Sequence, residues 1–294
     1  MVKKESSLKA TTDDEGDERG SAQTVSALKR GLDIPRCIEH AGGSLSLQEI
    51  ARRCGLPKAT TLRLLGTHEA CGFVRRSRTS GNYLLGSAVI GLSRVFLQQM
   101  DLRSTARPLL TALSERLGGT AVLALREGGS MVVIEAHVPE TAVAVARVGI
   151  GWHAPVATSC MGLAYFSALS AAERQQLLAR LSAENPDRWI DPRKAVERAL
   201  GEVAQYGYCT LQGHTMPGIN SASTAFLAPD GEVLVLACFA PEFSFSEQRL
   251  HSDVGPQLVH VAREIAAEIG GAAPRSSSVV NMEFISTEKR RRQQ

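Results

Sequence analysis

Residues 44–65 read SLSLQEIARRCGLPKATTLRLL. Ser46 and Glu49 have the spacing of a capping box, in which each side chain satisfies a free backbone N–H of the other residue. A helix is therefore predicted to begin at Leu47, and it should end at Gly55, because glycine adopts a positive φ at little cost. This short helix is the first half of the motif that decides the fold.

A second helix follows at once. Pro57 suits its first position, where a proline has no hydrogen bond to lose, and the helix is predicted to run to about Ala70 and to bury Leu62 and Leu65. Two short helices joined by so tight a turn must cross at a wide angle, which predicts a helix-turn-helix.

A further helix is predicted upstream, over 25–40. Pro35 falls inside it and should kink or shorten it, because proline removes one backbone hydrogen bond. Its buried face is predicted to comprise Leu28, Leu32, Cys37 and Ile38.

A β-hairpin is predicted downstream. Residues 72–76, GFVRR, and 83–85, YLL, are short strand signals separated by the polar turn SRTSGN. A hairpin directly after the second helix is a wing, and its three arginines suit contacts with phosphates or with the minor groove.

Charge is divided unevenly along the chain. Residues 21–80 hold ten lysines and arginines against four acids, whereas residues 121–270 hold ten against sixteen. Only the first segment is therefore expected to meet a polyanion, and double-stranded DNA is the predicted partner. An ordinary helical hairpin is the alternative. The predicted DNA-binding residues are Ser46, Lys58, Ala59, Thr60, Thr61, Arg63, Arg75, Arg76 and Arg78.

The rest of the chain predicts a second domain. Residues 86–117 are helical by their period, with a break near Asp101 and Pro108. The predicted elements that follow are strands at 120–126, 131–138 and 141–148, two or three helices over 159–205, strands at 223–228 and 232–240, and a helix from about Glu247 to Ile269. This order predicts an α+β domain with an antiparallel sheet.

Composition excludes several classes of protein. No apolar run reaches the roughly 18 residues of a membrane span, and the polar start is unlike a secretory signal. The six cysteines form no CxxC pair, so neither a metal site nor a disulfide framework is expected, no cofactor is predicted, and a reducing cytoplasm fits. Residues 1–20 and 271–294 are predicted to be disordered tails.

Residues 25–86, with LSLQEIARRCGLPKATTLRLLGTHEACGFVRR and YLLG, resemble the winged-helix domain of the IclR family of bacterial transcription regulators. The resemblance continues through APVATSCMGLAYFSAL and GYCTLQGHTMPGINSASTAFLAPDGEVL, to about residue 270. It implies a winged helix-turn-helix at 21–86, a linker helix at 87–104 and a GAF-like effector-binding domain at 105–270. It also implies dimers or tetramers on a near-palindromic operator, which act as repressors or activators. Ala59 and Leu62 replace polar residues common in the family, so a different operator is expected.

The segment Thr158–Gly162 predicts a capped helix start whose free N–H groups suit a carboxylate. The resemblance implies an effector site comprising Ala146, Ala154, Ser159, Cys160, Met161, Gln212, Ser221 and Phe239. Leu163 replaces the usual lysine, and the usual acid near Gln212 is absent. The pocket is therefore expected to be apolar and to take a larger organic acid, for which an aromatic body is one option. The alternative is that these side chains only fill the core.

Two rival functions remain open. Cys160 at a helix start could be a nucleophile with His153 or His214 as its base, but no group that would orient the base is evident, so an enzyme is not predicted. A DNA-binding protein without a ligand is the second rival, and the large α+β domain argues against it.

Overall fold

The computed structural model describes residues 25–140, 148–184, 186 and 190–273. It divides into two compact units, with the boundary between Phe96 and Leu97. In the part of the chain that it describes, no helix is both long and apolar enough to cross a lipid bilayer. Both predicted tails, except residues 271–273, and the predicted strand at 141–148, except Val148, lie outside the described residues.

The first unit is a winged helix-turn-helix, which confirms the predicted class. Its elements are α1 (Ser26–His40), α2 (Leu47–Cys54), α3 (Lys58–Ala70), β1 (Val74–Arg76), β2 (Tyr83–Leu85) and most of α4 (Ala88–Gln98), whose last two residues belong to the second unit. The two strands pair antiparallel, and Leu45 adds a backbone bridge to Tyr83. The core of this unit comprises Ile34, Ile38, Leu45, Ile50, Leu65, Val74 and Tyr83.

The turn between α2 and α3 forms as predicted. The Ser46 N–H donates to Glu49 Oε2 at 3.0 Å, and the Glu49 N–H donates to Ser46 Oγ at 3.2 Å, so the capping box is complete. Gly55 ends α2 with a φ of 64°, and α3 begins directly after Pro57.

The predicted buried faces of α1 and α3 were partly wrong. Leu28, Leu32 and Leu62 are 61%, 51% and 52% exposed. The buried positions of α1 are Gly31, Ile34 and Ile38, which share one face at a spacing of three and four residues. In α3 the buried pair is Thr61 and Leu65, so a threonine takes the core position that was predicted for Leu62.

Two prolines lie inside continuous helices. Pro35 lies within α1 and Pro108 within α5 (Leu102–Leu117). The predicted break is confirmed near Asp101, because α4 ends at Gln98 and α5 begins at Leu102, but it does not extend to Pro108.

The second unit is an α+β domain, as predicted. Its described strands form an antiparallel sheet in the order β5-β4-β3-β8-β7-β6. The strands are β3 (Thr120–Glu127), β4 (Ser130–His137), β5 (His153–Pro155), β6 (Cys209–Gln212), β7 (Ile219–Leu227) and β8 (Val233–Pro241). The two short edge strands, β5 and β6, were not predicted, because three or four residues are too few to establish an alternation.

Helices cover both faces of this sheet. One face packs on α6 (Cys160–Ala168), α7 (Ala171–Glu184) and α8 (Arg193–Tyr206). The other packs on α5 and on α10 (Gly255–Ile269), which follows the short helix α9 (Glu247–Arg249) and a π-helical turn at Leu250–Val254. The cavity described below lies on the first face, at the start of α6.

Candidate DNA-binding surface and effector cavity

The start of α3 presents most of its predicted residues to solvent. Lys58, Ala59 and Arg63 are exposed and Thr60 is half-buried. The charged ends of the Lys58 and Arg63 side chains make no hydrogen bond or ion pair with any other described residue, so both cations are available to an external anion. Leu62 is exposed beside Arg63 and was missed as a surface residue, because its apolar character indicated the core.

Thr61 and Ser46 have other roles. Thr61 is fully buried, and its Oγ donates to the carbonyl oxygen of Pro57 at 3.1 Å, so the predicted DNA contact of Thr61 was wrong. The Ser46 hydroxyl donates to Glu49 Oε2 at 2.9 Å while it accepts the Glu49 N–H. A phosphate oxygen would have to compete for that proton, so Ser46 acts first as the cap of α2.

Three arginines of the wing are exposed, and they differ in whether they make contacts within the wing. Arg76 Nε donates to the Gly81 carbonyl oxygen at 3.0 Å, and its guanidinium lies 5.7 Å from the centre of the Tyr83 ring. Arg76 therefore ties the turn to the strand. Arg75 and Arg78 make no such contact within the described chain, and this leaves them as the wing's uncommitted cations.

A cavity of about 370 Å³, counted with its open mouth, lies at the start of α6. It brings together Ala154, Ser159, Cys160, Met161, Ser221 and Phe239, which are six of the predicted effector residues. Its other lining residues, which sequence reasoning missed, are Trp152, Thr215, Met216, Ile219, Ser223 and Ala237.

The remaining two predicted residues do not join this lining. Ala146 lies outside the described residues. Gln212 is exposed on β6, where it pairs with Asn220, whereas its neighbour Leu211 pairs with Ser221. Side chains alternate between the faces of a strand, so Gln212 lies on the opposite face of the sheet from the cavity, and its predicted place in the site was wrong.

The start of α6 is built tightly. Ser159 caps the helix by accepting the Gly162 N–H at 3.1 Å. A Cβ on Gly162 would lie 1.9 Å from the carbonyl oxygen of Val156, so only glycine lets the preceding loop approach so closely. The N–H groups of Cys160 and Met161 make no hydrogen bond to described residues, which leaves two donors at the positive end of the helix dipole.

The cavity is apolar with a few hydroxyl groups. The described lining contains no Lys, Arg, His, Asp or Glu side chain. An anion bound there would therefore meet backbone N–H groups and hydroxyls rather than a cation.

Cys160 is held in a network of sulfur contacts. Its Sγ donates to the carbonyl oxygens of Cys209, at 3.6 Å, and Ser221, at 3.7 Å. Burial, the largest influence, raises the pKa of the Cys160 thiol, but polar contacts with Cys209, Ser223 and Ser221 together lower it below its usual value. The contact with Cys160, followed by burial, raises the pKa of Cys209 well above its usual value.

Neither predicted catalytic base meets this thiol. His153 and His214 are not among the residues that line the cavity, and His214 is exposed. Across the described residues, no group of three His, Cys, Asp or Glu side chains is placed to hold a metal ion.

A winged helix-turn-helix followed by an α+β domain with an apolar cavity is the arrangement of an effector-responsive transcription regulator. Residues 27–78 match the family model described as the IclR helix-turn-helix domain. Residues 95–270 match the model described as the bacterial transcriptional regulator IclR C-terminal. The chain therefore belongs to the IclR family of DNA-binding transcriptional regulators.

Individual relatives agree with this assignment. The HTH-type transcriptional regulator TsaQ1/TsaQ2 of Comamonas testosteroni is 30% identical over 277 residues, which are 93% of this chain and 98% of that protein. The transcriptional repressor IclR of Escherichia coli strain K12 is 27% identical over 84% of this chain and 91% of its own length.

Solved structures share the fold. An IclR family transcriptional regulator from Brucella abortus superposes with a TM-score of 0.75 at 32% identity, covering 87% of this chain and 97% of that one. An IclR homolog from Microbacterium hydrocarbonoxydans, crystallised with 4-hydroxybenzoate, gives a TM-score of 0.63 at 22% identity, with coverage of 83% and 97%.

Proposed function

We propose that a small organic acid binds in the cavity and changes the affinity of this regulator for its operator. The observation that carries the proposal is the start of α6, where the N–H groups of Cys160 and Met161 lack a partner among the described residues and both residues line the cavity. Helix starts with open donors favour carboxylates. Trp152, Met161 and Phe239 favour an acid that carries an apolar or aromatic body.

The proposed DNA contacts are the exposed residues of α3 and the wing. Lys58, Arg63, Arg75 and Arg78 are the uncommitted cations there, and Ala59 and Thr60 lie beside Lys58 at the start of α3. The helix is expected to lie in the major groove, with the wing on the phosphates or in the minor groove.

The proposed assembly is a homodimer, which could pair into a tetramer, on a near-palindromic operator. Helix α4 has no buried residue, and Ile90, Leu92, Val95 and Phe96 are 45–68% exposed. So apolar a helix face is unstable in water without a covering partner. The division into 21–86, 87–104 and 105–270 as DNA-binding, linker and effector segments belongs to this proposal, as does action in the cytoplasm, without a membrane partner.

The first experiment tests the DNA contacts. Full-length protein is titrated onto a fragment of its own promoter and onto random duplex. Lys58→Ala is expected to weaken binding to both and to reduce the salt dependence by about one counterion. Arg180→Ala, on the exposed face of α7, is the matched control and should leave both unchanged. Equal binding to promoter fragment and random duplex by the wild type would contradict a specific operator there.

The second experiment tests the effector. The same fragment is titrated with a panel of organic acids, including benzoate and 4-hydroxybenzoate, and melting temperatures are measured in parallel. An effector is expected to raise the melting temperature and to change the affinity for DNA. On a mapped operator, a lower affinity means that the effector releases the protein from DNA, and a higher affinity means that it recruits the protein to DNA. If no acid changes either quantity, the ligand-independent alternative is favoured.

We infer that the protein is not an enzyme. Cys160 lies among apolar side chains, and the described lining offers no histidine or carboxylate to act as its base. A Cys160→Ser variant that keeps its operator binding and its response to acids supports this inference, whereas turnover of an acid by the wild type that the variant loses would contradict it.

A further inference from the structure

The hydroxyl group of Ser223 is buried without a partner. Ser223 has no exposed surface, and its Oγ makes no hydrogen bond in the part of the chain that the structure describes. Its polar neighbour is the Cys160 thiol, but sulfur bonds weakly and the contact does not reach hydrogen-bond geometry. An unpaired buried hydroxyl costs folding free energy, so its retention needs a reason.

The register of β7 and β8 places this hydroxyl in the cavity floor. Ser221 pairs with Phe239, and Ser223 pairs with Ala237; all four residues line the cavity. Beside Ser223 the paired residue, Ala237, contributes only a methyl group, whereas beside Ser221 the paired residue contributes the Phe239 ring. The Ser223 hydroxyl is itself fully buried, so a ligand reaches it when the small side chains around it move apart.

The two serines of this floor differ in what they can still donate. Ser221 Oγ donates to the carbonyl oxygen of Leu211 at 3.1 Å, so its proton is already used. The Ser223 hydroxyl contacts only the weakly bonding Cys160 sulfur and makes no hydrogen bond to any described residue. A group that binds there can be a donor, an acceptor or both.

We propose that Ser223 is a specificity-determining residue, and that it selects ligands carrying an uncharged hydrogen-bonding group, such as a hydroxyl, in addition to their carboxylate. The inference rests on the proposed effector role of the cavity. The group that meets Ser223 is uncharged because the described lining has no charged side chain to neutralise a second charge. A second carboxylate at this point would be desolvated against one hydroxyl alone.

Calorimetric titration of the full-length protein tests this selection with matched pairs of acids. The probes are benzoate with its hydroxybenzoate isomers, and cyclohexanecarboxylate with its hydroxylated derivatives. We expect the wild type to bind at least one hydroxylated acid about tenfold more tightly than its parent, as one neutral hydrogen bond predicts. Ser223→Ala is expected to lose the preference, so that it binds the hydroxylated acid no more tightly than the parent acid.

Thr224→Val is the matched control. Thr224 is the next residue of β7, on the opposite face, and its Oγ donates to the Gly207 carbonyl oxygen at 2.7 Å. This substitution breaks a satisfied bond, so it should lower the melting temperature of the unliganded protein and leave the preference for hydroxylated acids intact. Ser223→Ala deletes an unpaired hydroxyl and should not lower that temperature.

The outcomes separate this inference from the function on which it rests. Acid binding with no hydroxyl preference, or with a preference that survives in Ser223→Ala, would overturn the role of Ser223 and leave the effector function standing. A lower melting temperature of unliganded Ser223→Ala would show that the hydroxyl already has a hydrogen-bond partner, and would overturn the proposed role of Ser223 as well. If none of the acids binds, the proposed effector function itself fails.

Discussion

Nε2 of His68 lies 2.7 Å from the carbonyl oxygen of Gly31. Gly31 is four residues before Pro35, and in an α-helix its carbonyl would accept the N–H of residue 35, which proline lacks. The imidazole on α3 therefore supplies the bond that the proline removes from α1. This contact gives a physical reason why α1 runs unbroken from Ser26 to His40.

His68→Leu is therefore expected to destabilise the DNA-binding unit by about 1–3 kcal/mol, because the buried Gly31 carbonyl is left unpaired. In a Pro35→Ala background the restored N–H can bond that carbonyl, so the same His68 change should cost clearly less. Urea unfolding of the four proteins as a double-mutant cycle measures the difference. Equal costs in both backgrounds would contradict the compensation.

The capping box of α2 predicts a pH dependence. Hydrogen bonds from the Ser46 N–H and then from its hydroxyl lower the pKa of the Glu49 carboxyl below 4.5. A lowered folded-state pKa stabilises the protein above the ordinary pKa, and this contribution is lost as the pH falls through the folded value. Ser46→Ala should cost about 1 kcal/mol near neutral pH, and the difference from wild type should shrink below pH 4.5.

Chemical denaturation of wild type and Ser46→Ala at a series of pH values checks this dependence. Ser44→Ala is the control for loss of a serine hydroxyl: the exposed Ser44 Oγ accepts one long hydrogen bond, from Asn82 Nδ2 at 3.4 Å, and the difference of this variant from the wild type should not depend on pH. A Ser46→Ala deficit that stays constant from neutral pH to below pH 4 would rule out a contribution from ionised Glu49.

Exposed Leu62 predicts an apolar base contact. It lies between Thr61, which is buried, and Arg63, which is exposed, near the start of the predicted reading helix. An apolar side chain in the major groove contacts the C5-methyl group of thymine. Binding sites selected from a random duplex pool should therefore contain a thymine whose replacement by uracil weakens the wild type by about 1 kcal/mol.

Leu62→Ala should lose the discrimination between thymine and uracil and keep the salt dependence of the wild type. Lys58→Ala should keep the discrimination and have a weaker salt dependence. Folding is expected to be unaffected by Leu62→Ala, because the side chain is 52% exposed. If the uracil replacement weakens wild type and Leu62→Ala equally, the methyl group is read by another residue.

Gly162 predicts a steric requirement at the start of α6. Gly162→Ala would place its Cβ 1.9 Å from the Val156 carbonyl oxygen, so either the loop or the helix start must move. We expect a loss of more than about 1 kcal/mol in stability and weaker acid binding. Gly201→Ala is the control, because a Cβ there on α8 meets nothing within 4 Å and should stabilise the protein by roughly 0.5–1 kcal/mol. Equal melting temperatures for the two variants would refute the steric reading.

Local sequence patterns predicted where the helices and strands lie better than they predicted which side chains of those elements are buried. Capping at Ser46, the end at Gly55 and the wing strands depend on neighbours within a few residues, and all formed as expected. The burial of Thr61 in place of Leu62 depends on which side of α3 meets α1, and hydrophobicity alone indicates the wrong residue.

The residues of the effector cavity show the same difference between what neighbouring residues determine and what distant residues determine. Ser159 as a helix cap follows from its own sequence. The position of Gln212 does not, because a one-residue shift in the pairing of β6 would have put it on the other face. Ser223 was missed, although the alternation with Ser221 on one strand was a signal that could have found it.

The sequence by itself determined that this protein is a winged helix-turn-helix joined to an α+β domain of the IclR family, because caps, turns, periodicity and charge are encoded within short stretches. Only the tertiary structure decided which hydroxyl stays unpaired in the cavity and which side chain bonds the Gly31 carbonyl that Pro35 leaves without a donor. Both depend on groups brought together from distant parts of the chain, His68 with Gly31 and β7 with β8 and α6, and no local pattern records such pairings.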